Sequence, residues 1–307
     1  MIDNRRYKGD ELTPVDTYYQ VGGFDKMYFK REDLFLPYDE LPWLGGGKVR
    51  QTISLFNHLK EDLKKYDGII TYSSVNSPQA VIVVKGSIDA GYKAALSFGV
   101  NDTVENVVRK HKPIRVCKDL GAELHNVAKI GYNNVLLNKT EVIAKERNYY
   151  IVQFGINIDD APTALTDSIA DQVQNIPDKL DVLIIPVGSG IQTGAILYGI
   201  KKYNKQVKRV IGIQISGYDR SKTINKILTS LDSTDMVYEQ IIDKTYPYSK
   251  HLNARISCME SKQSLDLNVV YESKAWDYIK REKKELNLNK TDEILYWNIG
   301  SNNFLYK

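Results

Sequence analysis

Residues 181–200 read DVLIIPVGSGIQTGAILYGI, and this stretch decides the fold. An apolar strand ends at Val187, a turn follows at Gly188, Ser189 and Gly190, and a helix carrying Thr193 and Gly194 begins at once. Free backbone N–H groups and the positive end of the helix dipole converge there, which suits an anion and most naturally a phosphate. The spacing is Gly-x-Gly-x-x-x-Gly, unlike the dinucleotide fingerprint Gly-x-Gly-x-x-Gly. The next strand, RVIGIQI, has Gln214 where a ribose-binding acid is wanted. A tight strand–helix turn without a ligand is the plainer alternative.

Outward from this junction, short apolar runs alternate with longer amphipathic stretches, the signature of βαβ units and a mainly parallel sheet. KMYFKRED predicts a strand and VRQTISLFNHLKEDLKKY a helix with Ile53, Phe56 and Leu59 on one face. DGIITYSS, YKAALSFGV, RVIGIQI and EILYWNI predict strands; PQAVIVVKGSIDAG, TVENVVRKH, ALTDSIADQVQNI and KAWDYIKREKKELNL predict helices. The polar stretch from Ser216 to Leu265 reads as loops and short helices. No repeat and no low-complexity linker interrupts the α/β pattern.

At roughly 150 residues per domain, 307 residues allow about two domains. A hydrophobic content of 42% supplies a core, so disorder is excluded. Lys+Arg number 42 against 38 Asp+Glu, with the signs interspersed, which favours small-molecule chemistry over electrostatic capture of nucleic acid or membrane. Cys117 and Cys258 lack Cys-x-x-Cys spacing, and His58, His111, His125 and His251 form no ligand pattern. A reduced cytoplasmic protein without a structural metal is expected. The start MIDNRRYKGD has no apolar run and no segment is long enough to span a bilayer, so neither signal peptide nor membrane span is expected.

Two further segments can carry chemistry. Gly45, Gly46 and Gly47 precede Lys48 at the start of a helix. Glycines there let the backbone approach a ligand, and a desolvated lysine amine can attack an aldehyde. A flexible loop with a solvated lysine is the alternative, and no Walker A pattern is present. TYSSVNSPQAV, Thr71 to Val81, places hydroxyls and an amide beside a helix N-terminus, where they hold a carboxylate or simply cap the helix through Ser77 or Ser74.

In this order the segments resemble the fold-type-II pyridoxal-phosphate enzymes, most closely the D-cysteine desulfhydrase and 1-aminocyclopropane-1-carboxylate deaminase branch. TPVD, FKREDLF and GGGKVRQ resemble the branch's N-terminal signature, in which the lysine after the glycines forms the Schiff base; Lys48 takes that position. PVGSGIQTGAI resembles the phosphate loop, and LNVVYESKAWDYI at Leu267 to Ile279 resembles a branch-specific segment. The resemblance implies two open, mainly parallel-sheet α/β domains of the tryptophan-synthase-β type with the cofactor in the cleft. A small domain, 49–159, is inserted into a large one made of 1–48 and 160–307.

The same resemblance implies pyridoxal 5′-phosphate as cofactor and a homodimer. It assigns the phosphate to Gly188, Ser189, Gly190, Ile191, Gln192 and Thr193, although Ile191 replaces a usual glycine and Gln192 a common threonine. The polar turn fits two registers: one sets Asn76 against the cofactor with Ser74 and Ser77 facing substrate, the other sets Ser77 at the branch's catalytic serine and Pro78 at the asparagine. Ile299 falls where a hydroxyl often meets the pyridine nitrogen, leaving Asn298 or Ser301 to reach it. DKTYPYSKH nominates Tyr248 as a catalytic tyrosine with Tyr296 as a second candidate; a half-buried structural tyrosine is the alternative for both.

Three functional readings follow. The first is a lyase or deaminase of a small amino acid, by α,β-elimination or cyclopropane opening, giving a 2-oxo acid and ammonia. The second keeps the cofactor but performs β-replacement, racemisation, or tailoring of an amino-acid group carried on a larger molecule such as a modified nucleotide or DNA; the nonstandard turn, Ile191 and Ile299 motivate it. The third is a non-catalytic ligand-binding relative.

Overall fold

The computed structural model describes residues 5–156, 162–215, 218–247, 250–257, 264–300 and 302–306. Tyr248, Ser301, Cys258 and the expected domain boundary at Asp159 and Asp160 lie outside the described residues. The chain divides into two compact units, one of 1–50 and 166–303, the other of 51–165 and 304–307.

An antiparallel hairpin, β1 (Val15–Val21) and β2 (Phe24–Arg31), leads to α1 (Gly47–His58) and the single turn α2 (Lys60–Leu63). Then β3 (Gly68–Tyr72), α3 (Pro78–Asp89), β4 (Lys93–Gly99), α4 (Val104–Lys110), α5 (Lys112–Asp119), β5 (Glu123–Ala128), α6 (Asn133–Arg147) and β6 (Tyr149–Val152) follow. The chain continues through α7 (Pro162–Ala170), β7 (Lys179–Val187), α8 (Ile191–Lys202), β8 (Gln206–Gln214), α9 (Ser221–Ser230) and β9 (Glu239–Ile242). A small ribbon of β10 (Arg255–Ser257) and β11 (Ser264–Asp266), then α10 (Glu272–Arg281) and β12 (Ile294–Asn298), complete it.

The first unit holds a six-stranded sheet in the order β1-β2-β12-β7-β8-β9, parallel except for the β1–β2 hairpin. Both faces are covered, as a parallel sheet requires. Phe29, Ile184 and Tyr296 pack with Trp276 and Ile279 of α10 on one side, whereas Leu183, Leu295 and Trp297 pack with Ile196 and Ile200 of α8 on the other. Because β2, β12 and β7 run the same way, their C-terminal ends share one edge, where ligands of α/β sheets bind. The second unit is a four-stranded parallel sheet, β5-β4-β3-β6, with Ile70, Ala95, Ala144 and Tyr149 clustered in it.

The α/β class and the βαβ alternation read from the sequence are those observed. Three details differ. The helix expected from Val49 to Tyr66 is interrupted at Leu59, where α1 gives way to α2. α10 stops at Arg281, and Leu286 and Leu288 reach the core from beyond its end. The stretch from Ser216 to Leu265 contains strands as well as loops and helix, because β9 is an edge strand and tolerates a polar sequence that a central strand does not. Among the described residues no helix is long and apolar enough to cross a membrane.

Candidate functional site

Lys48 is the second residue of α1, and the loop before it is tied down from several directions. The Gly46 amide donates to the Phe35 carbonyl at 2.9 Å, the Gly45 amide to Asn302 Oδ1 at 3.2 Å, and the Gly47 amide to the Ile299 carbonyl at 2.9 Å. A Cβ on Gly47 would lie 2.7 Å from Nε2 of Gln192, so the glycine lets that amide close on the lysine loop. Arg50 anchors the helix start: its Nε donates to Glu32 Oε2 at 3.1 Å and its guanidinium lies 3.8 Å from the centre of the Phe35 ring.

Although part of the Lys48 surface stays open, the amine is packed deeply enough that burial lowers its pKa to about 8. The Arg220 guanidinium pushes in the same direction and the Glu272 carboxylate opposes it. A fraction of the amine is therefore unprotonated near neutral pH and able to attack a carbonyl carbon.

The phosphate-loop candidate sits at the end of β7. Gly190 caps α8 with φ +92°, a left-handed conformation in which a side chain would also meet Ile224 and Arg220. Among the described residues no side chain caps the helix, so the first-turn N–H groups and the dipole of a twelve-residue helix are presented at Gly190 to Thr193. Gln214 Nε2 braces the turn by donating to the Gly188 carbonyl at 3.3 Å. Gln192 is 8% exposed, and its Nε2 has no hydrogen-bond partner among the described residues.

Two residues without a nomination from the sequence belong here. Tyr271 lies against the Gly188–Gly190 turn, since a Cβ on Gly188 would be 3.4 Å from its Cε1. Glu272, 2% exposed, opens α10, and burial raises its carboxyl to about 7 despite backbone N–H groups of Gly300 and Ile299 nearby. Its Oε2, and both polar side-chain atoms of the fully buried Asn298, have no partner among the described residues. Buried polar atoms are costly unless satisfied. In LNVVYESKAWDYI the available signal is an acid directly after the mostly apolar run Leu267 to Tyr271 and one helical turn before Ala275 and Trp276.

Tyr296 is placed differently from its catalytic nomination. It is enclosed by Phe29 and Trp276, and its hydroxyl donates to the Glu272 carbonyl at 2.7 Å. The ring fills the core and the hydroxyl holds β12 to α10, so its role is packing. Ile299, after β12, contributes its carbonyl to Gly47 rather than a hydroxyl to a ligand.

In the second unit the polar turn enters α3. Ser77 is the N-cap, its Oγ accepting from the Gln79 amide at 3.3 Å, with Pro78 as the first helical residue. The Ser74 carbonyl accepts from the Ser77 amide at 3.0 Å. Asn76 is exposed at the tip, and its Oδ1 lies 2.8 Å from His111 Nδ1. Buried Gln79 braces the turn, donating to the Gln153 carbonyl at 3.1 Å and accepting from the Gly155 amide at 2.8 Å.

A nucleophilic amine, an uncapped helix N-terminus, a buried acid and unpartnered amides suit a phosphorylated aldehyde with a basic ring. Comparison with known proteins agrees. The family model described as pyridoxal-phosphate dependent enzyme matches residues 11–250. An O-seryl-dTMP PLP-dependent decarboxylase of Salmonella phage ViI is 29% identical over 207 residues, covering 63% of this chain and 47% of that protein. The chain thus spans about half the length of this curated relative. Among solved structures, an ACC deaminase homologue superposes with a TM-score of 0.71 at 18% identity, covering 95% of this chain and 91% of the other. An O-acetylserine dependent cystathionine beta-synthase from Helicobacter pylori gives 0.63 at 16% identity, covering 100% and 98%. These likenesses show the fold.

Proposed function

This chain belongs to the pyridoxal-phosphate dependent enzyme family, its cofactor is pyridoxal 5′-phosphate, and from that premise we propose that it acts at the α-carbon of a serine-like group carried on a nucleotide. The observation that carries the chemistry is Lys48, a lysine with a pKa of about 8 held in a fixed loop beside Arg220 and Glu272. The substrate class is supported by the likeness to the phage decarboxylase and by the departures at Ile191, Gln192, Ile299 and the Ser73–Pro78 turn, which a common free amino acid does not call for.

When bound, pyridoxal phosphate accepts the electron pair left at Cα as a bond there breaks. Lys48 would hold the cofactor, and its amine would carry a proton to or from Cα. The N–H groups of Gly188 to Thr193, with Ser189 and Thr193 hydroxyls, hold the phosphate, and Glu272 and Asn298 supply polar partners for the ring. Ser74, Asn76 and Ser77 take the substrate carboxylate; Tyr248 and Ser301 keep the roles the resemblance implies. In a decarboxylation the Cα–carboxyl bond breaks, CO2 leaves, and Cα takes one proton, so Lys48 acts as the acid.

A second reading, a lyase or deaminase of a small free amino acid, is favoured by the branch-like LNVVYESKAWDYI segment. Purified protein is expected to be yellow and to lose its visible band on Lys48→Ala. Incubation with O-seryl-dTMP should release CO2 and leave the corresponding amine. Ammonia or a 2-oxo acid released from free D- or L-amino acids or the cyclopropane amino acid, without CO2 from the nucleotide, would overturn the first reading in favour of the second. A homodimer in solution, checked by light scattering, is part of the proposal.

A further inference from the structure

The second unit carries a basic and aromatic surface that the chemistry above does not use. Arg109–Lys110–His111–Lys112–Pro113–Ile114–Arg115 holds four basic residues and a histidine without an acid among them. Lys110 is turned to Asp102 at 2.6 Å and Arg109 reaches Asn106 Oδ1 at 3.1 Å. Lys112 pairs with no carboxylate among the described residues. Its ammonium lies instead 3.4 Å from the centre of the Phe304 ring, and that ring is 41% exposed. A cation without a carboxylate partner among the described residues, beside a partly exposed aromatic ring, suits a ligand that is flat at one end and anionic at the other. This surface adjoins the substrate turn, because His111, next to Lys112, is at hydrogen-bond distance from Asn76.

We propose that Lys112, His111 and Phe304 bind the nucleotide part of the substrate, Lys112 and His111 taking its phosphate and Phe304 its base, while the Ser74–Ser77 turn takes the amino-acid end. The assignment rests on the nucleotide-linked reading and names the residues that enforce it. The juxtaposition depends on the α4–α5 junction: the chain turns at His111, which closes α4 and opens α5 with extended backbone, so that His111 and Lys112 lie at the start of a new helix. Arg115, exposed one turn on, adds long-range attraction for the anion.

The test is equilibrium binding of dTMP, thymidine and inorganic phosphate to the cofactor-loaded protein, with Lys112→Glu and Phe304→Ala beside the wild type. Wild type should bind dTMP at least about tenfold more tightly than thymidine, with affinity falling as salt rises. Lys112→Glu should weaken dTMP at least about tenfold, and Phe304→Ala several-fold, with the visible band of each variant retained as the sign of an intact fold. An oligodeoxynucleotide binding more tightly than dTMP, with the same loss on Lys112→Glu, identifies DNA rather than the free nucleotide as the source of the phosphate. Equal dTMP binding by Lys112→Glu and wild type overturns the assignment, as does absence of dTMP binding. If O-seryl-dTMP is turned over with the same KM by Lys112→Glu, the substrate reading stands and this surface fails. If dTMP binding depends on Lys112 but only free amino acids react, the surface stands and the substrate reading fails.

Discussion

The amide of Gly47 donates to the carbonyl of Ile299 at 2.9 Å, joining the lysine-bearing loop to the segment that leaves β12. One residue on, Lys48 inherits its position from that bond and from the Gln192 amide packed on the bare α-carbon of Gly47. Gly47→Ala should displace Gln192, whose end is flexible enough to move, so stability changes by no more than about 1 kcal/mol. Cofactor affinity should fall by about tenfold, measured by titrating pyridoxal phosphate into apoprotein; unchanged affinity would remove Gln192 from the phosphate support.

Cofactor capture should depend on pH through Lys48. Only the neutral amine attacks, so the capture rate of apoprotein should rise with pH through a midpoint near 8. Arg220 lowers that midpoint after burial, and Arg220→Met should shift it upward. Stopped-flow absorbance across pH resolves the two curves. Coincident curves would show that Arg220 does not act on the amine.

Glu272 makes an opposite contribution to stability. Its folded pKa of about 7 lies above the ordinary 4.5, so the folded state binds the extra proton between those values. Its contribution is fully present below pH 4.5 and is lost as pH rises through about 7. Glu272→Gln keeps the shape without the charge, so the melting temperature of the variant relative to wild type should climb across this window. Turnover should fall on the order of a hundredfold because the acid is gone from the site, with the visible band retained. A variant as active as wild type would show that Glu272 serves stability alone.

Tyr296→Phe separates packing from catalysis. Losing the hydroxyl leaves the buried Glu272 carbonyl without this donor and should cost about 1–2 kcal/mol by denaturant unfolding. Turnover should stay within about threefold of wild type. A drop of several hundredfold at unchanged stability would return Tyr296 to the chemistry.

Much of the candidate site is legible in the sequence because its signals are local. Gly45 to Lys48 and Gly188 to Thr193 lie where a strand or loop meets a helix, and glycine content, apolar run and helix start can be read within a few residues. Glu272 was harder to see. Its residue type suggests a solvated first-turn acid, and only the packing of α10 against β12 puts it in the interior. Tyr296 differs in the other direction, since the continuous run ILYWN says that it is buried but not that its hydroxyl is already donated. Between β4 and α7 the sequence signals little beyond α4: β5 is an edge strand of half-buried residues and α6 buries few side chains, so periodicity is weak there.

By itself the sequence determined the α/β class, the glycine run that leads into the helix bearing Lys48 and the strand–helix turn at Gly188, because hydrophobic period and glycine placement act over short chain distances. Tertiary structure alone decided which groups meet: Lys48 with Arg220 and Glu272, Gly47 with Gln192, Asn76 with His111, and Lys112 with Phe304. Those pairings join residues remote in the chain. They also set the protonation of Lys48 and Glu272, since desolvation and neighbouring charge depend on what surrounds a group in space rather than on what precedes it in sequence.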